Sequence, residues 1–244
     1  CLAWMAEGST PVDGKYARNI RLGLRFILRS AHRTGFITDD GQSGMYGHGY
    51  ATLFLAEVLG MLRDSDEIDQ TRETLKRAVE LLQKTQNRFG GWNASPDGTA
   101  TDDGSGAVAI MQITALRAAR NAGVGVDANC IKKAKKYVFE MTSEDGWYAY
   151  NYNARGNGHR SSACTGAGMY MLGVLDYHRE VRYEKGIQNL LAHSPFFGKS
   201  SGQDQGWSGW LLYTAFYSSL AVFQYGGEPW KKWYAGLRDY LLPM

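Results

Sequence analysis

The chain has 244 residues, 44% of them hydrophobic and 21% charged, with a net charge of +3. That supports a sizeable core, and the small, evenly spread positive charge argues against nucleic acid as a partner. Three dispersed cysteines, Cys1, Cys130 and Cys164, form neither a disulfide framework nor a paired metal motif, and they leave the compartment open.

Taken in chain order, the elements are helical. Leu2 to Ala6 read as the tail of a helix whose beginning is absent, and residues 1–244 contain no signal-peptide pattern. Ile20, Leu24, Ile27 and Ala31 form one apolar face. Tyr50 to Leu62 are apolar nearly all round, and Arg63 to Asp66 make a turn. Ile68, Leu75, Val79 and Leu82 form the next one-sided helix, with Asp66 as its expected N-cap. Ala107 to Ala119 are again apolar on every side, and Asn121 to Val126 turn the chain. Asp127 caps a helix whose apolar face is Ile131, Ala134, Val138 and Met141; Lys132, Lys133, Lys135 and Lys136 fall on its opposite, solvated face. Gly166 to Tyr177 are apolar all round, and Val181, Ile187, Leu190 and Leu191 mark a shorter one-sided helix.

The most apolar stretch, Trp210 to Tyr225, carries no charge. It is shorter than the roughly 20 residues a bilayer span needs, and it contains Thr214, Ser218, Ser219 and Gln224, so it reads as a buried helix (Gly209 to Gln224). Trp230, Trp233, Leu237 and Tyr240 mark the last helix, with Pro229 at its first position.

The elements repeat. Gly35-Phe36, Gly91-Trp92, Gly146-Trp147 and Gly206-Trp207 recur about every 55 to 60 residues, a period that signals stacked supersecondary units. Each follows a one-sided helix and precedes one that is apolar all round. A helix apolar on every side is buried on every side, so the all-round helices are expected to form an inner ring and the one-sided helices an outer ring. The long Gly-aromatic loops then share one rim, where a site is to be sought.

Four stretches carry a family likeness: Gln86-Asn-Arg-Phe-Gly-Gly-Trp92, Met45-Tyr-Gly-His-Gly-Tyr-Ala-Thr-Leu-Phe-Leu-Ala56, Met111-Gln-Ile-Thr-Ala-Leu-Arg-Ala-Ala-Arg-Asn-Ala-Gly123 and Gln224-Tyr-Gly-Gly-Glu-Pro-Trp230. The chain resembles the prenyltransferase and squalene-oxidase repeat family, the α/α toroids that include terpenoid cyclases and protein prenyltransferase β subunits. It looks most like a bacterial, largely uncharacterised branch. The resemblance implies an all-α, (α/α)6-type barrel of about six hairpins, of which about five are legible in residues 1–244. The expectation is therefore a single toroid domain, 1–244, lacking part of its first hairpin, with either a last hairpin outside the numbered chain or a ring that stays open.

The rim loops offer four polar sets: Tyr46 and His48; Asp102 and Asp103; His159, Arg160, Ser161, Ser162 and Cys164; and Gln203, Asp204, Trp207 and Trp210. Class II terpene cyclases use an Asp-x-Asp-Asp motif whose middle Asp protonates carbon. Ala100-Thr101-Asp102-Asp103 resembles it with the first Asp replaced by Ala. The resemblance makes Asp102 the acid and Asp103 its support; the alternative is a helix cap. Protein prenyltransferases hold zinc partly through an Asp two residues before a Cys. Ser162-Ala163-Cys164 stands in the similar place without that Asp, so no metal or other cofactor is expected.

His48, between two glycines, is either a general base or a loop residue bonded to backbone. Trp210, Tyr213 and Tyr217 share one helix face and either line a cavity, where aromatic rings steady carbocations, or pack as core. With Tyr46, His48, Trp92, Trp147, His159 and Trp207 they form the candidate substrate-binding set. The expected function is binding, and cyclising or transferring, an isoprenoid-type apolar substrate by metal-free acid catalysis. The alternative is a non-catalytic toroid that binds another protein.

Overall fold

The computed structural model describes residues 1–38, 44–97, 104–155, 160–194, 196 and 207–243, with the backbone alone for 207–209. They form α1 (Leu2–Ala6), α2 (Ala17–Arg29), α3 (Gly44–Leu59), α4 (Ser65–Lys84), α5 (Gly106–Asn121), α6 (Ala128–Met141), α7 (Ser162–Val174), α8 (Val181–Ala192), α9 (Trp207–Tyr225) and α10 (Gly227–Leu241), with a 3₁₀ turn at Tyr152–Ala154. Among the described residues, extended pairing amounts to three isolated bridges: Ala31 with Ile37, Ser105 with Asn151, and Thr142 with Tyr148. The chain is all-α. No helix among the described residues is long and apolar enough to cross a membrane.

Two helix types alternate from α2 to α8, as the periodicity predicts; α9, expected to be buried on every side, instead leaves Trp210, Leu212, Phe216 and Phe223 exposed because one of its flanks lacks a neighbour among the described residues. α4 typifies the one-sided kind: it buries Thr71, Thr74, Leu75, Ala78, Val79 and Leu82 and presents charges elsewhere. Its N-cap is Asp64, not Asp66. Asp64 has the extended backbone a cap requires, and its carboxylate accepts the Glu67 N–H at 2.9 Å. Asp66 and Glu67 then fall in the first turn, where they favour the positive end of the helix dipole. Asp127 does cap α6, accepting from the Asn129 N–H at 2.8 Å. Pro229 is the third residue of α10, which starts at Gly227.

The apolar helices carry small residues where backbones approach. The chain divides into two units, Cys1–Gly104 with Met111–Lys133, and Ser105–Ile110 with Ala134–Met244. In the first, a Cβ on Gly49 of α3 would lie 2.7 Å from that of Met111 of α5, and Gln112 donates to the Met45 carbonyl at 2.7 Å. In the second, Gly166 of α7 fits against Ser218 of α9, and Gly186 of α8 against Met169 of α7; any side chain at either glycine would collide.

The repeated turn has a specific geometry. After α2, His32 N–H donates to the Phe36 carbonyl at 2.8 Å and Gly35 N–H to the His32 carbonyl at 3.0 Å. The same pair recurs as Asn87 to Gly91 (2.9 Å) with Gly90 to Asn87 (3.0 Å), and as Ser143 to Trp147 (2.9 Å) with Gly146 to Ser143 (3.0 Å). Gly35, Gly90 and Gly146 have φ of 90°, 94° and 88°, which glycine adopts without steric cost. A Cβ on them would strike backbone of α4 at Arg77, of α6 at Lys133 and of α8 at Gly186, respectively.

This geometry corrects the register of the repeat. Gly90, not Gly91, is the counterpart of Gly35 and Gly146. Trp92 therefore occupies the position of Ile37 and Tyr148, and all three are buried. What recurs is the left-handed glycine rather than a Gly-aromatic pair, and the Gly-Gly doublet hides the shift. Side chains fasten each turn further. Gln86 Nε2 donates to the Gly90 and Cys130 carbonyls, both at 3.0 Å. Asn189 Nδ2 donates to the Asp145 carbonyl at 2.7 Å, and Arg182 to that of Thr142 at 2.8 Å.

A paired substitution separates backbone strain from contact. Gly123 has φ of 80° with open space around it, so Gly123→Ala carries the conformational cost alone, about 1 kcal/mol. Gly90→Ala adds the collision with α6 and is expected to lose at least about 2 kcal/mol more in urea unfolding. Equal losses in the two variants would refute the backbone contact as the organising feature.

Candidate functional site

In the first unit, the start of α3 presents Tyr46 and His48 on different sides. Tyr46 is exposed, as is Tyr50 one turn later. His48 is completely buried, 5.5 Å ring to ring from Phe36 of the first repeat turn. Its Nδ1 accepts the Ile37 N–H at 3.2 Å, which places the ring proton on Nε2. Nε2 faces the backbone of Ala78, which favours the charged ring, but closes no hydrogen bond among the described residues. Burial outweighs that influence and holds His48 well below the usual imidazole range, at about 4. The imidazole is neutral at pH 7 and joins the turn to α3. Trp92 is also fully buried, and its indole N–H donates to the Leu82 carbonyl at 2.7 Å near the end of α4.

In the second unit, Trp147 is buried beneath two polar side chains. The Arg160 guanidinium lies 5.9 Å from its ring and His193 packs edge-on at 5.2 Å. Arg160 pairs with Asp145 at 3.3 Å. The neighbouring Tyr148 donates its N–H to Thr165 Oγ1 of α7 at 3.2 Å, so Thr165 serves Tyr148 as His48 serves Ile37. The Tyr148 ring is slotted against Gly106 and Gly168, and its hydroxyl has no hydrogen-bond partner among the described residues. Burial pushes that phenol far above its usual range, with smaller contributions from Tyr137, Cys164 and Tyr213. Burial also raises the Cys164 thiol, so both groups are neutral at pH 7.

The α9 aromatics form a ladder. Trp210 is 56% exposed, Tyr213 is half-buried and Tyr217 is buried. Ring centroids lie 5.9 Å apart from Trp210 to Tyr213 and 4.6 Å from Tyr213 to Tyr217, which also meets Tyr170 of α7 at 6.1 Å. The ladder thus leads from solvent into the contact between α7 and α9. Such a run of π faces accepts apolar or cationic groups. A second stripe on α9, Leu212, Phe216 and Phe223, is exposed by 76%, 56% and 62%. Its spacing was present in the sequence, but an apolar helix gives no indication of which face lacks a neighbour.

Asp102, Asp103 and His159 lie outside the described residues, as does the side chain of Trp207. Among the described residues, no three His, Cys, Asp or Glu side chains converge as a metal site. No family model, curated protein or solved structure matches the chain.

The His48 environment gives a pH signature. Its folded pKa is depressed from 6.5 to about 4, so its stabilising contribution is complete above pH 6.5 and is lost as pH falls toward 4. The loss attributable to this residue is up to about 3 kcal/mol. His48→Asn keeps an acceptor for the Ile37 N–H and removes the titration. Its unfolding free energy, subtracted from that of the wild type across this range, should show that slope; a flat difference would exclude His48 as its source.

Proposed function

We propose that the chain is a repeat domain of the terpenoid-cyclase and prenyltransferase toroid type that binds an isoprenoid-like apolar substrate and transforms it by acid catalysis. The observation that carries this reading is the α9 ladder, Trp210 to Tyr213 to Tyr217, which runs from solvent to a buried contact with Tyr170. The alternation of one-sided and all-round helices and the recurring glycine turn support the toroid. The interior groups beside the ladder, Tyr148 and Cys164, are neutral and so suit an uncharged ligand. In this reading Asp102 donates the proton to carbon and Asp103 strengthens it.

A second reading has its own observation. Leu212, Phe216 and Phe223 expose an apolar stripe along α9, which suits a toroid that binds another protein rather than a small molecule.

Mass spectrometry of an organic extract of the purified chain tests both readings. The first expects a bound isoprenoid-type molecule, its occupancy falling roughly tenfold in Tyr213→Ala while circular dichroism is unchanged. It further expects Asp102→Asn to keep the molecule bound and lose its turnover. An empty extract, with a larger species on size exclusion that Phe216→Ser abolishes, moves the conclusion to the second reading.

A further inference from the structure

The exposed face of α2 carries an unbalanced charge pattern. Arg18, Arg21, Arg25 and Arg29 recur at helical spacing on one side, and the helix contains no acidic residue. α4, also one-sided, pairs its charges: Arg72 with Asp69 at 3.4 Å, Lys76 with Glu73 at 3.5 Å and Lys84 with Glu80 at 4.0 Å. On α2, Arg21 donates to the Pro11 carbonyl at 2.9 Å and Arg25 faces Glu67 at 3.8 Å. Arg18, Arg29 and, beyond the helix end, Arg33 have no ion pair or side-chain hydrogen bond among the described residues.

The free guanidinium groups of Arg29 and Arg33 border a groove. It has a volume of about 600 Å³ and is lined by Phe26, Arg29, Ser30, His32, Arg33 and Thr38, among others. Leu22 and Phe26, 51% and 47% exposed, flank the arginine stripe on one side. The helix dipole accounts for one cation in the last turn, Arg29. It does not account for Arg33 and His32 beyond that turn, for a stripe reaching back to Arg18, or for two large apolar side chains left in water beside it. A guanidinium presents a planar fork of donors that matches phosphate oxygens in pairs, and a phosphate monoester carries close to two negative charges at pH 7.

We propose that this end of α2 binds a phosphate monoester bearing an apolar group. Arg29 and Arg33 hold the phosphate, His32 adds a donor, and the apolar part lies along Phe26 toward Leu22. The same chemistry is presented by a soluble organic phosphate and by an anionic lipid headgroup. This proposal does not depend on the substrate read at the α9 ladder.

Calorimetric titration of the whole chain with hexyl phosphate and with inorganic phosphate tests it, alongside co-sedimentation with phosphatidylcholine vesicles with and without phosphatidic acid. Hexyl phosphate should bind at least about tenfold more tightly than inorganic phosphate. The double variant Arg29→Gln, Arg33→Gln should lose at least about tenfold, while Arg72→Gln on α4 keeps full affinity. Phe26→Ser should narrow the gap between the two ligands. Sedimentation with phosphatidic acid vesicles that hexyl phosphate reverses assigns the lipid source; binding of hexyl phosphate alone assigns the soluble one. Absence of binding to either, or affinity unchanged in the double variant, overturns the proposal.

Discussion

The organisation of this chain rests on backbone pressed against backbone at the ends of α2, α4 and α6. At Gly35, Gly90 and Gly146 the turn adopts a left-handed conformation and lies directly on the following one-sided helix, with no room for a single carbon between them. Only glycine meets both demands. The aligned carbonyls and N–H groups of that turn then set where the next buried residue enters: Ile37, Trp92 or Tyr148. Because a backbone contact fixes the spacing, the side chain that follows is free to be aliphatic, indole or phenol. That residue's backbone N–H is received by different partners, His48 for Ile37 and Thr165 for Tyr148.

Much of this was legible in the sequence because helix faces follow from spacing alone. The alternation of helix types, the Asp127 cap and the burial of Gly166 to Val174 all come from periodicity and local hydrogen-bonding preference. What was illegible depends on neighbours. Asp64 and Asp66 have equal capping chemistry, and the choice between them is made by where the preceding turn leaves the chain extended. The doublet Gly90-Gly91 offers two registers, and only the approach of α6 selects one. On α9, Tyr217 and Phe216 are adjacent and both aromatic, yet one is buried and the other 56% exposed, a distinction that arises entirely from which side α7 occupies. The acidic pair Asp102 and Asp103 was singled out by family likeness, and it enters the functional reading on that ground alone.

The described candidate residues divide into those that join the fold and those that offer a surface. His48 and Trp92 commit their polar atoms to backbone partners in the first unit. Trp210 and Tyr213 retain accessible ring surface in the second. Buried hydroxyl and thiol groups near them are held neutral by desolvation, so that region favours contact through shape and π faces over charge. Positive charge gathers instead on α2, far along the sequence from the ladder, which makes the two surfaces chemically distinct.

Arrays of stacked helix pairs derive their stability from interfaces between successive pairs. Among the described residues, Leu212, Phe216 and Phe223 of α9 stay exposed on the flank away from α7, whereas α7 packs against both α8 and α9. Amide protons along Leu212 to Phe223 therefore exchange at a lower local opening free energy than those of α7. In a population of molecules the apolar stripe is thus also a face along which α9 loosens before α7 does.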